Sequence, residues 1–566
     1  MSAVPPTAPA SAPRAARWSR WLPFLRWPRP NATLLRGEVI AAITVVVVMV
    51  PQSVAYAGLA GMPLITGLYA IFLPLLASVL FSSSTRLSTG PSALSCVLIG
   101  ASLIGLAEPG SSQWVLLAVW LALLSGAMQL AVGASGAAWM LNLVSSPVLA
   151  GFSQAAAVLI IASQLPALLG LKGALATLLN APVFDVEGLA YGVLSLVLFE
   201  IAKRKAPRLP VILIVLAIAA IVSKLTGYAD RGAVVGTLPA GLPAFYWPEL
   251  PAWDILRALF APALVLALVS SMEMAASAKI ENQRDGKRWD ASQDLIGQGV
   301  GKLASAFSGS FPTSASFSRS AITLQAGAKT GWATVASAVV VLLVLLFFTP
   351  ALYHVPSAAL SAVVVTAVLG LVKPRVFSSL WQIDRVEAVT AGITAVVTIL
   401  SAPRIYWGVL TGVVVGLAHF LYLRLHPRII EVGLHPDGSM RDRHLWQLAP
   451  IADQTYALRM DAELDFASAS AFERAVVEHL AAHPDTRHVC LFAQPINRID
   501  ATGVEVFGAL RKLLQAKGIG LHVSGLKLPV ERVLHKAGEL PEGPLLRLYR
   551  TDAEALQAFS SPSPST

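Results

Sequence analysis

The sequence predicts an α-helical polytopic membrane protein of about fourteen spans, arranged as two inverted repeats of seven and followed by a small α/β domain. Three observations carry that expectation. The 566 residues are 55% hydrophobic and 13% charged, against about 25% charged in soluble domains, so most of the chain belongs in lipid. The basic residues sit in short loops between apolar runs and alternate from loop to loop, as they do when they orient spans. Two short spans, each opened by proline, recur at matching places in the two halves.

The N-terminal 36 residues read as a disordered basic tail. Arg14, Arg17, Arg20, Arg26, Arg29 and Arg36 precede the first acid, Glu38, and hold that end in the cytoplasm. Trp18, Trp21 and Trp27 suit the membrane interface. Residues 37–427 form the transmembrane domain. Its first seven spans are expected near 37–57, 63–82, 91–107, 113–133, 143–169, 187–202 and 209–226. The second seven fall near 255–280, 290–308, 313–325, 332–349, 357–372, 385–401 and 405–425. Alternate loops are then basic: Lys203 to Lys205 with Arg208, Arg284 with Lys287 and Arg288, Lys329, Lys373 with Arg375, and Arg424 with Arg428. The opposite loops hold Glu108, Asp185, Asp230 and Glu249, against Lys172, Lys224, Arg231 and Arg404. An even count returns the C-terminus to the cytoplasm. Gly408, Gly412 and Gly416 read as helix packing contacts.

The repeat is legible in spacing. Pro91-Ser92-Ala93 opens the third span and Pro312-Thr313-Ser314-Ala315 opens the tenth. Gln52 lies 39 positions before Pro91, and Glu273 lies 39 before Pro312. A helix beginning after each proline directs its free N–H groups and positive dipole end to the midplane, where an anion is favoured. Arg319, about two turns into such a tenth helix, adds a full charge. At bilayer depth that charge costs roughly 2.5–3.5 kcal/mol unless paired or hydrated, which marks it as functional.

Residues 428–560 change composition to that of a soluble domain, and 561–566 are a loose tail. Strands are expected at 455–460, 488–492, 519–523 and 545–548, and helices at 467–482, 502–515, 529–536 and 553–559. Cys96 and Cys490 fall in different domains, which excludes a disulfide framework; no metal site and no P-loop is present. Neither a cofactor nor nucleic acid is expected, and no catalytic constellation argues for an enzyme.

Four stretches resemble the sulfate permease (SulP or SLC26) family. Val50 to Pro63, VPQSVAYAGLAGMP, is similar to its first-helix signature, and Ser88 to Ser95, STGPSALS, to the start of its third helix. PTSASFSRSAI, from Pro312, is similar to the tenth-helix motif. INRIDATG, Ile496 to Gly503, stands where the family's C-terminal STAS domain carries its signature loop. The resemblance implies a mobile core of spans one to four and eight to eleven moving against a gate, usually in a homodimer. It places Gln52, Tyr56, Ser92, Ser316, Ser318 and Arg319 around the anion, with main-chain donors near Ala93, Ser314 and Ala315. MEMAASAK, from Met272, resembles the eighth-helix motif and puts Glu273 at the proton-coupling acid. Where the family's sodium-coupled bicarbonate branch has a further acid, this chain has Ser277, which favours protons over sodium. Where some soluble STAS relatives carry a phosphorylated serine, this chain has Ala501.

The expected function is secondary transport of sulfate, a related oxyanion or a dicarboxylate. Proton-coupled, elevator-like symport across a bacterial inner membrane is favoured, with both termini cytoplasmic and the STAS domain free to meet a cytosolic partner. Bicarbonate transport, with sodium or protons, and a passive channel, exchanger or voltage-responsive motor are the rivals; a nucleobase carrier fits Arg319 poorly. Arg319 itself has two readings at this point, anion ligand or structural partner of Glu273.

Overall fold

A computed structural model describes residues 22–171, 184–205, 210–541 and 543–560. Most of the basic tail, with Trp18 and Trp21, and also Lys172, Arg208 and the last residues lie outside them. The chain divides into two compact units, residues 1–416 and 417–566.

The first seven spans are α1 (Ala32–Leu59), the broken pair α2 (Ile65–Ala70) and α3 (Leu73–Phe81), α4 (Ala93–Leu103), α5 (Ser112–Ala134), α6 (Ser146–Leu168), α7 (Val186–Lys205) and α8 (Val211–Thr226). The second seven are α9 (Trp253–Arg284), α10 (Ala291–Phe307), α11 (Phe317–Gln325), α12 (Trp332–Leu343), α13 (Ser357–Leu369), α15 (Arg385–Leu400) and α16 (Tyr406–Leu425). Six of the helices, counting α12 with its continuation to Leu352, are long and apolar enough to cross a bilayer alone. The others are shorter, α4 and α11 among them, or, like α7 with Glu187, Glu200 and Lys203 to Lys205, more charged.

Between α13 and α15 lies an unexpected helix, α14 (Arg375–Ile383), with no buried residue. Trp381 and Ile383 are exposed, and the Arg385 guanidinium lies over the Trp381 ring. An amphipathic helix of that kind suits the membrane surface.

Two short strands carry the symmetry of the repeat. β1 (Thr89–Gly90) pairs antiparallel with β2 (Ser314–Ala315), Thr89 facing Ala315 and Gly90 facing Ser314. Each strand runs within two residues into the N-cap of its helix, Ser92 for α4 and Ser316 for α11. Antiparallel pairing therefore sets the two helix beginnings side by side and sends the helices in opposite directions.

The loop before β1 is anchored by buried charge. Asp294 accepts from the N–H groups and hydroxyls of Ser83 and Ser84 and from Trp289. Arg86 pairs with Glu281 at 3.2 Å and Asp285 at 2.7 Å.

The densest helix packing falls in two groups, which touch where α13 meets α1 and where α4 meets α6. α10 lies against α5 and α3, α9 against α5 and α4, and α12 against α1 and α3. In the other set α15 lies on α6, and α13 on α6 and α7. Gly408 and Gly412 of α16 face Thr398 and Thr394 of α15, where a Cβ would come within 1.9 and 2.3 Å of the hydroxyls. Close small-residue packing is what their spacing predicts.

The second unit is built on a six-stranded sheet in the order β4-β3-β5-β6-β7-β8. The strands are β3 (Ile429–Leu434), β4 (Met440–Asp442), β5 (Thr455–Met460), β6 (His488–Phe492), β7 (Gly520–Ser524) and β8 (Leu546–Tyr549). β5 to β8 pair in parallel, and β3 pairs antiparallel with both neighbours. A short helix, α17 (Arg443–Trp446), precedes β5, and α18 (Ala469–Ala482), α19 (Ala501–Ala516), α20 (Leu528–Lys536) and α21 (Asp552–Ser560) join or follow the parallel strands. The four parallel strands and four of these helices agree with the sequence expectation; β3 and β4 are additional. Asp500 caps α19 through the Gly503 N–H, leaving Ala501 exposed at its start.

Candidate functional site

The first turn of each half-helix supplies the donors. In α4 the Ser92 hydroxyl accepts from the Ser95 N–H, and the Ser92 carbonyl accepts from Cys96. The N–H groups of Ala93 and Leu94 have no acceptor inside the helix. In α11 the Ser316 side chain makes no cap, so the N–H groups of Phe317, Ser318 and Arg319 are likewise without helical acceptors.

Glu273, in the middle of α9, lies where the two half-helices meet. Its Oε2 accepts from the Ser314 hydroxyl at 2.5 Å, the Ser92 hydroxyl at 2.8 Å and the Ser95 hydroxyl at 3.4 Å. Two of those serines come from the first repeat and one from the second. One carboxylate oxygen thus gathers donors from both halves of the fold.

Arg319 is 1% exposed and takes a different set of partners. Its Nη1 donates to the Pro91 carbonyl at 2.7 Å and its Nε to the Ser88 hydroxyl at 3.3 Å. Nη2 is buried without a hydrogen-bond partner. It lies against Gly90, where a Cβ would be 3.1 Å from it. Ser88 is tied further to the tenth span, its N–H donating to the Ser320 hydroxyl and its carbonyl accepting from Ser316.

Three expectations are corrected here. The tenth helix begins at Phe317, not just after Pro312, because Ser314 and Ala315 are held in the β1–β2 ladder. Their main-chain groups are therefore strand groups and not a helix beginning, and the Ser316 N–H is taken by Ser88. Arg319 consequently sits in the first turn of α11, not two turns in. From there its side chain reaches the Ser88–Pro91 segment, and among the described residues no ion pair joins it to Glu273.

Gln52 of α1 is buried, and its Oε1 has no hydrogen-bond partner. Tyr56, one turn later, is packed in the apolar core within electrostatic reach of both Arg319 and Glu273. The Ser316 and Ser318 hydroxyls lie 3.3 Å apart, with Ser318 exposed. Ser88 and Ser95 were overlooked as site residues, although both stand in the STGPSALS stretch. Lys302 of α10 was also overlooked. It is fully buried, and a lysine inside an apolar span carries the same signal as Arg319.

A site of this kind offers hydroxyls, free N–H groups and fixed positive charge, with an acid at its edge. It suits recognition of an anion. The described residues contain no cluster of three or more metal-ligating side chains.

Comparison with known proteins decides the family. The sulfate permease family matches residues 35–394, and the STAS domain matches residues 448–555. The chain belongs to the sulfate permease family. It is an integral membrane anion transporter with a C-terminal STAS domain, and not an enzyme. Among relatives, a probable sulfate transporter (4.2) of Arabidopsis thaliana is 30% identical, aligning 92% of this chain with 79% of its own. A probable sulfate transporter of Mycobacterium tuberculosis is 31% identical over 93% of this chain and 95% of its own. The solved structure of murine solute carrier 26 family member A9, an anion transporter, superposes with a TM-score of 0.85. That likeness covers 98% of this chain and 96% of the other at 20% identity, and it speaks to the fold.

Proposed function

We propose that this member of the sulfate permease family is a proton-coupled symporter of sulfate or a related divalent oxyanion. The observation that carries the reading is the convergence of Ser92, Ser95 and Ser314 on one oxygen of Glu273. While the carboxylate is ionised, it holds three hydroxyl protons that an incoming oxyanion needs. Protonation turns that oxygen into a weaker acceptor or a donor and frees the hydroxyls to rotate toward the anion. Proton and anion therefore favour each other's binding, and the coupling is reciprocal.

The anion would sit between the first turns of α4 and α11. Ala93, Leu94, Phe317 and Ser318 would supply N–H groups, Ser92, Ser314, Ser316 and Ser318 hydroxyls, and Gln52 and Tyr56 the opposing wall. Arg319 would add its field and its unpartnered Nη2. The set α1–α5 and α9–α12 would move as a body against α6–α8 and α13–α16, carrying the site across the membrane. Sulfate is favoured because the Arabidopsis and Mycobacterium relatives are probable sulfate transporters. A bacterial inner membrane location with both termini cytoplasmic, a homodimer, and a STAS domain that meets a cytosolic partner complete the reading.

Uptake of labelled anions into proteoliposomes, with and without an inward proton gradient, tests it. Wild type is expected to concentrate sulfate when the gradient is imposed. Glu273→Gln should abolish the gradient's effect while sparing anion exchange, and Arg319→Ala should weaken sulfate binding at least tenfold. A Glu273→Gln protein that still responds fully to the gradient would exclude Glu273 as the proton carrier.

A further inference from the structure

Lys302 lies in the interior of the membrane domain, and among the described residues no acid forms an ion pair with it. It is 0% exposed, and its Nζ donates to the Ser270 hydroxyl at 2.6 Å. Ser270 donates in turn to the Leu266 carbonyl, so it receives the lysine proton as an acceptor. The same hydroxyl accepts from Gln129 Nε2 at 3.0 Å. Gln129 also donates to Ser271 and to the Ala267 carbonyl, while its Oε1 is buried without a hydrogen-bond partner. The lysine stem is seated on a glycine of α5, since a Cβ on Gly126 would come 2.9 Å from Lys302 Cβ.

The elements packed on α10 are α5, α3, α9 and the turn Ala138–Leu143. α5, α3 and that turn contain no charged residue. From α9, the charge that acts on Lys302 is Glu273, one turn beyond Ser270. A buried ammonium is expensive unless something compensates it. Here an attraction through space, from the acid at the anion site, opposes part of that cost.

We propose that the Lys302 ammonium is a counter-charge of the anion site and makes it selective for divalent over monovalent oxyanions. The inference rests on the function proposed above. With Glu273 ionised, Arg319 and Lys302 leave the empty site one positive charge in excess. With a proton on Glu273 and a dianion bound, the three side chains and the substrate sum to zero. A monoanion in the same state leaves an excess positive charge buried. Without Lys302 the order reverses: the dianion leaves an excess negative charge and the monoanion is the neutral cargo. At an effective dielectric of about 20, a unit charge about 10 Å away alters affinity by roughly tenfold for each unit of ligand charge.

The test compares sulfate with nitrate on full-length protein, by binding in detergent and by uptake into proteoliposomes, for wild type, Lys302→Met, Lys302→Gln and Lys302→Arg. The neutral variants should lower the sulfate-to-nitrate affinity ratio by about tenfold or more. Lys302→Arg should keep it. Lys302→Gln retains a donor for Ser270 and serves if Lys302→Met does not give monodisperse protein. An unchanged ratio in a folded neutral variant, or equal loss of both anions, would overturn the proposal and leave Lys302 a packing residue. A wild type that binds anions but ignores the proton gradient defeats the coupling reading, and the ratio still measures Lys302. A wild type that binds neither anion defeats both.

Discussion

Arg319 holds the first repeat to the second: two of its nitrogens are tied to Pro91 and Ser88, and the third faces Gly90. Gly90 is where this arrangement tolerates least. An added Cβ would lie 2.8 Å from Ile71 Cγ2 and 3.1 Å from Arg319 Nη2. Overpacking of that kind costs about 1–3 kcal/mol. Gly90→Ala is therefore expected to lower the thermal midpoint in detergent and to weaken sulfate binding. Gly392→Ala, with nothing within 4 Å of its added Cβ, should do neither. Equal stability of the two variants would contradict the packing at Gly90. Arg319, Glu273 and Ser92 were visible in the sequence because a charge or a capping serine in an apolar run stands out locally. Their partners were not, since Glu273 meets Ser92 across 181 positions and Arg319 meets Pro91 across 228.

The fourteen spans could be read from apolar runs and basic loops because a bilayer imposes both length and orientation on each helix. The start of α11 could not. Proline followed by threonine and serine reads as a helix beginning, but Ser314 and Ala315 are claimed by Gly90 and Thr89, more than 200 residues earlier in the chain. β5 to β8 of the STAS domain were legible from alternation and short apolar runs, whereas β3 was missed and β4, three residues long, offers no pattern.

Neighbouring strands in that domain hold a pH-sensitive pair. His522 of β7 contacts His488 of β6 at 3.2 Å and the Tyr549 hydroxyl at 3.1 Å. Burial, then the charges of His488 and Arg547, bring the His522 imidazole down from 6.5 to about 4. Burial also lowers His488, with Arg547 and Arg487 adding to it. Between the two His522 values the unfolded chain binds more protons than the folded one, so stability falls as pH falls. The contribution is complete above pH 6.5 and lost as pH passes down through about 4. Amide hydrogen exchange in β6 and β7 of the full chain should accelerate across that window, and His522→Gln should flatten the dependence. Protection that is flat from pH 7 to 4 in wild type would contradict the buried neutral imidazole.

At the scale of the molecule, one short antiparallel ladder fixes where two half-helices begin, and an acid from a third helix lies where they meet. Ser92 and Ser95 of α4, Glu273 of α9 and Ser314 of β2 build that junction. This is the geometry expected of an inverted-repeat transporter. The most direct test is the position of the anion itself. Selenate, a heavier analogue of sulfate, can be located by its anomalous scattering in crystals of the full-length protein. The account predicts a peak between the first turns of α4 and α11, within hydrogen-bond distance of the Ala93 and Phe317 N–H groups. A peak elsewhere, with that junction empty at saturating selenate, would contradict it.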